Sequence, residues 1–143
     1  MTAITKKDER TRHALMDKIK LFLENREEIQ FAYLFGSFVD EDEENFRDID
    51  LGIFIDETAE ITKDKFYEME LSTLLEDIVK FPVDIVILNR AAPAIVFNAS
   101  KGKLLKNDDD DDRIDFVTLN WKMYWDFKPT LLYHMEERKH GSK

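Results

Sequence analysis

Three aspartates occupy otherwise apolar stretches of the sequence. Asp48 and Asp50 flank Ile49 at the head of an alternating segment that runs to Ile55. Side chains at i and i+2 of a strand share one face and lie about 6.6 Å apart along it. Two carboxylates at such a short distance repel each other. A divalent cation that binds both of them removes this repulsion. Mg²⁺ is the natural candidate because it takes oxygen ligands and is commonly shared with substrate phosphates.

Asp84 is the only charge in the apolar segment Val83–Leu88, which is otherwise suited to a buried strand. A buried carboxyl group raises its pKa, finds a hydrogen-bond partner or binds a metal. The structural alternative is an acid at a strand end that accepts a hydrogen bond from a loop. For Asp48 and Asp50 the alternative is a solvated acid pair, because acidic triplets recur among the 31 acidic residues.

Gly36 and Ser37 directly follow the apolar run Ile29–Phe35. A glycine at this point permits close approach of the backbone, and a following helical turn would aim N–H groups at a phosphate. The Ser37 hydroxyl would add a donor. The alternative interpretation is an ordinary change from strand to turn.

These residues need a sheet to position them. Apolar residues at helical spacing, runs of buried type and strict alternation predict an α/β (α+β) fold with a small mixed sheet flanked by helices, in a single domain over 1–143. Thr62 and Asp64 are candidate caps for the second helix, and Pro129 is expected to kink or interrupt the last. Helices are predicted over 8–25, 62–80, 92–99 and about 114–138, and strands over 29–35, 48–55, 83–88 and up to 105.

Composition narrows the classes of function. The net charge of −10 argues against a general nucleic-acid binder, and the absence of cysteine excludes thiolate chemistry. No apolar run is long enough to span a membrane, and no signal peptide is evident, so a cytoplasmic protein is expected. The acidic runs 40–44 and 108–112 are interpreted as solvated loops or as a patch for a basic partner. Lys101, Lys103 and Lys106 are interpreted as solvated, and the aromatics of the last helix as core with some at a protein interface.

The combined pattern resembles the nucleotidyltransferase (polymerase-beta-like) superfamily. It consists of Gly36-Ser37, ten intervening residues, Asp48-Ile49-Asp50-Leu51 and then Val83-Asp84-Ile85-Val86, within a motif core over 29–88. The length and minimal layout resemble most the MNT-domain antitoxins of HEPN–MNT toxin–antitoxin pairs. The spacing of the whole set is much more specific than any of its parts.

The resemblance implies a role for each residue. Gly36 and Ser37 would hold the triphosphate of ATP, and Asp48 and Asp50 would ligate two Mg²⁺ ions. Asp84 would ligate one of these ions and act as base toward the incoming hydroxyl. Two departures bear on nucleotide binding: residues 40–44 are acidic where relatives often have small or basic residues and a glycine, and Arg47 stands where serine is common.

The implied function is an antitoxin enzyme that transfers AMP from ATP to a tyrosine hydroxyl of a cognate HEPN ribonuclease toxin, within a possible hetero-oligomer. One alternative is a small-molecule nucleotidyltransferase of the aminoglycoside type, although such enzymes usually carry a further helical domain. The other is a non-catalytic antitoxin that acts by complex formation alone. The acidic 40–44 segment favours this last reading, whereas three carboxylates held together oppose it.

Overall fold

A four-stranded mixed sheet forms the centre of the chain. The computed structural model describes residues 4–5, 9–39 and 45–141. The strand order is β5-β4-β2-β6, with β5 and β6 at the edges. In chain order the elements are β1 (Ile4–Thr5), α1 (Glu9–Glu24), β2 (Ile29–Phe35), β3 (Asn45–Phe46), β4 (Ile49–Ile55), α2 (Tyr67–Val79), β5 (Val83–Ile87), α3 (Pro93–Ser100), β6 (Lys103–Asn107) and α4 (Asp110–Gly141).

The sheet is mixed because one of its strand pairs is parallel. Strand β2 pairs antiparallel with both β4 and β6, whereas β4 and β5 run parallel. The predicted α/β fold with a small mixed sheet is therefore confirmed. A separate antiparallel pair, β1 with β3, was not predicted from the sequence. Two residues per strand give too short a pattern to detect.

Helices α1 and α2 cover one face of the sheet. The predicted alternation in β4 is confirmed: Ile49, Leu51, Ile53 and Ile55 are all buried toward these helices. The core they enter contains Leu15, Ile19 and Leu23 of α1 and Leu71, Leu75 and Val79 of α2.

Helices α3 and α4 cover the opposite face. Gly52 of β4 lies on this side, where an added Cβ atom would come within 3.0 Å of Leu88 Cδ2. Phe31 stacks on Phe54 with ring centroids 4.7 Å apart, and Phe116 of α4 packs on both rings. The sheet is thus buried on both faces, as a strand run as apolar as β2 requires.

The helix predicted over 62–80 begins later than expected. A short 3₁₀ helix covers Glu60–Lys63, and α2 starts only at Tyr67, with no side-chain cap at Phe66. The prediction of Thr62 and Asp64 as helix caps was therefore wrong. The Thr62 hydroxyl lies 2.7 Å from the Ala59 carbonyl, and Asp64 accepts a hydrogen bond from the Phe66 N–H. Both side chains bond to nearby backbone in turns, where short polar side chains compete with helix formation.

Helix α4 is longer than predicted at its start and is not interrupted at Pro129. It begins at Asp110, and an Asp109 carboxylate oxygen accepts a hydrogen bond from the Asp112 N–H at 3.1 Å. Proline removes one backbone bond of a helix, and here the helix continues on both sides. Among the described residues, no helix combines the length and hydropathy that crossing a membrane requires.

Candidate active site

One end of each of the strands β2, β4 and β5 lies at the same end of the sheet, which we call the site end. Asp50 and Asp84 are Cα partners on the parallel strands β4 and β5. On the other side of β4, Asp50 is the partner of Phe35, the last residue of β2. Because β2 runs antiparallel to β4, its carboxyl end adjoins the starts of β4 and β5. This topology brings the predicted residues of three separate segments into one place.

The three aspartates interact electrostatically. Asp48, immediately before β4, and Asp84 are exposed, whereas Asp50 is half-buried. Burial raises the pKa of Asp50 to about 6, and repulsion from Asp48 and then from Asp84 contributes further. The Asp50 carboxylate is therefore costly to ionise unless a cation approaches it.

The carboxylates form an open set of oxygen donors. Within the described part of the chain, no three acidic or imidazole side chains are already gathered around a position that could hold a metal ion. Mg²⁺ usually takes one or two carboxylates and completes its octahedron with waters and substrate phosphates. The oxygen donors of Asp48, Asp50 and Asp84 fit the kind of site that Mg²⁺ shares with substrate phosphates.

The Gly36–Ser37 turn lies directly against Asp50. Gly36 has a φ of 81°, a backbone conformation that side chains disfavour. A Cβ atom added there would collide with Asp50 Oδ2 and lie 3.2 Å from Asp50 Cγ. The Gly36 carbonyl accepts a hydrogen bond from the Val39 N–H at 3.2 Å, which closes a tight turn. Glycine therefore allows the predicted phosphate-binding turn and the predicted metal ligand to touch.

One of the three lysines at and before β6 is not solvated, contrary to the prediction. Lys106 is buried, its Nζ atom donates to the Arg26 carbonyl at 2.7 Å, and it pairs with Asp108 at 3.3 Å. Lys101 Nζ lies 4.6 Å from the centroid of the Phe97 ring. Lys103, opposite Leu34 at the start of β6, is exposed as predicted.

A buried arginine next to the turn was missed at the sequence level. Arg12 of α1 is 9% exposed, and its Nη1 atom donates to the Phe38 carbonyl at 2.7 Å. The signal was present, because Arg12 lies three residues before Leu15 on the apolar stripe of α1. A charged residue at a core position of a helix needs a specific partner.

The sequence profile of the family described as "Polymerase beta, Nucleotidyltransferase" matches residues 17–111, which is more than half of the chain. The chain belongs to this family. The matched range of this nucleotidyltransferase includes Gly36, Ser37, Asp48, Asp50 and Asp84. No curated protein matches the sequence.

Solved structures confirm the fold of this nucleotidyltransferase. A chain of the crystal structure described as "the toxin-antitoxin with AMP-PNP" superposes with a TM-score of 0.70 at 24% identity, covering 87% of this chain and 98% of that one. A chain of the toxin–antitoxin MntA-HepT gives 0.67 at 22% identity, covering 89% and 98%. A chain of the structure of tri-AMPylated Shewanella oneidensis HEPN toxin in complex with MNT antitoxin superposes with a TM-score of 0.63 at 22% identity. The match covers 87% of this chain and 98% of that one.

Proposed function

We propose that this nucleotidyltransferase transfers AMP from ATP to a tyrosine hydroxyl of a HEPN-family toxin and thereby neutralises it. The observation that carries the proposal is the contact of the Gly36 turn with Asp50, itself in register with Asp84. This arrangement places a candidate phosphate-binding turn beside candidate metal ligands. The similar structures that contain AMP-PNP or an AMPylated HEPN toxin support the choice of donor and acceptor.

The reaction is an in-line displacement at the α-phosphorus of ATP. The tyrosine oxygen forms a bond to the α-phosphorus, the bond from that phosphorus to the bridging oxygen of the β-phosphate breaks, and pyrophosphate leaves. Gly36 and Ser37 would hold the triphosphate, and Asp48 and Asp50 would hold two Mg²⁺ ions. Asp84 would ligate one of these ions and accept the proton of the tyrosine hydroxyl. Bound Mg²⁺ would neutralise the negative charge that phosphates and carboxylates gather here.

A protein acceptor suits the surface better than a small molecule does. Helix α4 reaches the site end of the sheet at Trp121, whose Nε1 atom donates to the Ser100 hydroxyl at 2.7 Å. From there to Gly141 it continues for about 30 Å at 1.5 Å per residue. Trp125 and Phe127 on this continuation are 51% and 59% exposed. Exposed aromatics of this kind are enriched at protein interfaces. They support an acceptor that binds a helix beside the site.

The non-catalytic alternative is neutralisation by complex formation alone. Its main support, the acidic segment 40–44, lies outside the described residues. The small-molecule alternative gains no support from the described surface. The described site favours an enzyme over a non-catalytic antitoxin. A protein that only binds its partner has no need of three interacting carboxylates at the site end of the sheet.

The proposal is tested by incubating the chain with ATP, Mg²⁺ and a co-expressed HEPN-family partner, with the intact mass of the partner as readout. We expect the partner to gain one or more AMP units, and the Asp48→Ala/Asp50→Ala double variant to add none. Asp77→Asn, an exposed change on α2, serves as the matched control and should retain full transfer. An unmodified partner in a stable complex with both the chain and the double variant would refute the enzyme. Modification of an aminoglycoside but not of the partner would favour the small-molecule alternative.

A further inference from the structure

Three phenylalanines form a buried cluster next to the candidate site. Phe38, Phe46 and Phe81 are 1%, 1% and 6% exposed. Phe38 meets Phe46 edge to face with ring centroids 4.6 Å apart, and Phe46 packs on Phe81 at 5.1 Å. The three rings therefore make one continuous contact, which we call the phenylalanine cluster.

Each ring of the phenylalanine cluster belongs to a different site segment. Phe38 directly follows Ser37, Phe46 lies two residues before Asp48, and Phe81 lies three residues before Asp84. The last two segments are also joined by backbone, because the Ile49 N–H donates to the Pro82 carbonyl at 2.9 Å. Through Phe38, the cluster connects the glycine turn to both of these segments.

Arg12 completes the cluster from α1. Its guanidinium carbon lies 4.8 Å from the centroid of the Phe46 ring and 5.9 Å from that of Phe38. These distances allow cation–π attraction, which is stronger when the cation is removed from water. The same guanidinium donates to the Phe38 carbonyl at 2.7 Å, a charge-assisted bond. Arg12 thus contacts both the turn that carries Ser37 and the segment that leads into Asp48.

We propose that Arg12 is a positioning residue that sets the distance between the Gly36–Ser37 turn and the aspartates. The backbone of the turn closes on itself through a single described bond, from the Val39 N–H to the Gly36 carbonyl. The Phe38 carbonyl belongs to the same peptide unit as the Val39 N–H, so the bond from Arg12 holds the group that closes the turn. The consequence for nucleotide binding rests on the proposed function, whereas the ordering of the turn does not.

A second arginine offers a matched control. Arg113 of α4 is also largely buried, with Nη1 donating to the Tyr33 hydroxyl at 2.9 Å and Nη2 pairing with Asp110 at 2.9 Å. It lies near the start of α4, which follows the end of β6 farthest from Gly36. Arg113→Met therefore removes a largely buried guanidinium, its hydrogen bond to Tyr33 and its ion pair with Asp110, without touching the site segments.

The first test is hydrogen exchange without any nucleotide, on the full chain. In Arg12→Met we expect the amides of residues 37–39 to exchange about tenfold faster, because a charged hydrogen bond is lost. Arg12→Lys keeps the charge near the rings but lacks the planar fork of arginine, so its exchange rates should lie between those of the parent and of Arg12→Met. This variant remains informative if Arg12→Met fails to fold. In Arg113→Met these amides should exchange as in the parent. Unchanged exchange at 37–39 in the folded Arg12 variants would overturn the proposal.

The second test is the affinity for AMP-PNP with Mg²⁺. We expect Arg12→Met to bind about tenfold more weakly, Arg12→Lys to recover part of the loss, and Arg113→Met to stay within about twofold of the parent. Equal losses in the Arg12→Met and Arg113→Met variants would show that Arg12 merely stabilises the fold, and would refute the positioning role. If the parent chain itself bound no AMP-PNP, the proposed function would fail, and the exchange measurement would still decide whether Arg12 orders the turn.

Discussion

Asp50 and Asp84 lie opposite each other on parallel strands with their Cα atoms in register, yet their environments differ. Asp50 is half-buried on the inner strand β4, whereas Asp84 is exposed on the edge strand β5. Burial and the neighbouring charges raise the pKa of the inner carboxylate, whereas the outer one is open to solvent. A difference of this kind suits two distinct roles for neighbouring carboxylates.

Asparagine at either of the proposed metal ligands Asp48 and Asp50 should strongly reduce transfer. Asp48→Asn and Asp50→Asn keep the shape of the side chain but remove its charge, so we expect AMP transfer to fall by at least about 100-fold, as loss of transition-state charge stabilisation does. The rate of partner modification under saturating ATP measures the loss. Transfer by Asp50→Asn at more than a tenth of the parent rate would contradict the assigned role.

The stability of the metal-free chain should depend on pH through Asp50. Its pKa is raised to about 6 in the folded chain, whereas an unfolded aspartate titrates near 4. Between about pH 4 and 6 the folded chain therefore binds more protons, so its free energy of unfolding falls as the pH rises. Asp50→Asn removes the penalty and should stabilise the chain by about 1–2 kcal/mol at pH 7.5, after allowance for solvent screening. Urea unfolding of the parent and of Asp50→Asn at about pH 4 and pH 7.5 measures this gain in stability. An equal gain at the two pH values would count against ionisation of Asp50 as its cause.

Magnesium should reverse that trend. Binding requires ionised carboxylates, so Mg²⁺ with AMP-PNP should raise the melting temperature at pH 7.5 and lose its effect as the pH falls through about 6. Thermal unfolding with and without Mg²⁺ provides the measurement. Asp50→Asn should show little response at either pH, and a full response in that variant would place the metal elsewhere.

Alanine at Gly36 should impair both stability and nucleotide affinity. The φ of 81° disfavours any side chain, and the added Cβ would collide with Asp50 Oδ2. We expect a loss of about 1–2 kcal/mol in the free energy of unfolding, together with weaker AMP-PNP binding. In an Asp50→Ala background the collision is absent, so Gly36→Ala should cost less there. Equal costs in the two backgrounds would show that strain in the turn, and not contact with Asp50, explains the glycine.

Glycine at Lys80 should stabilise the chain without affecting the site. Lys80 ends α2 with a left-handed φ of 62°, a conformation that glycine adopts without penalty. Lys80→Gly should therefore raise the free energy of unfolding by about 0.5–1 kcal/mol. Lys80→Ala removes the same exposed ion pair with Asp77 but keeps the strained backbone, so denaturant unfolding should show no gain.

Much of the site end of the sheet could be predicted because its signals are local. Alternation from Ile49 to Ile55 fixed which side chains are buried, and a glycine after the β2 run marked the turn. Both patterns depend on backbone geometry within a few residues, which the sequence carries directly.

The remaining features depend on contacts between distant segments. The partners of Arg12 lie on Phe38 and Phe46, and no local pattern in α1 identifies them. The burial of Lys106 depends on the Arg26 carbonyl, which lies 80 residues away in the chain. The late start of α2 is a local exception, because the side chains of Thr62 and Asp64 bond to nearby backbone groups in turns that compete with helix formation.

The edge position of β5 gives Asp84 an open side that Asp50 lacks. Among the described strands, β5 is hydrogen-bonded to β4 alone, whereas β4 is held on both sides. The strand itself is firmly held, because the Ser72 hydroxyl donates to the Val83 carbonyl and the Val83 N–H donates to Glu76 of α2. Asp84 is therefore open to solvent on its outer side while its backbone keeps register with Asp50.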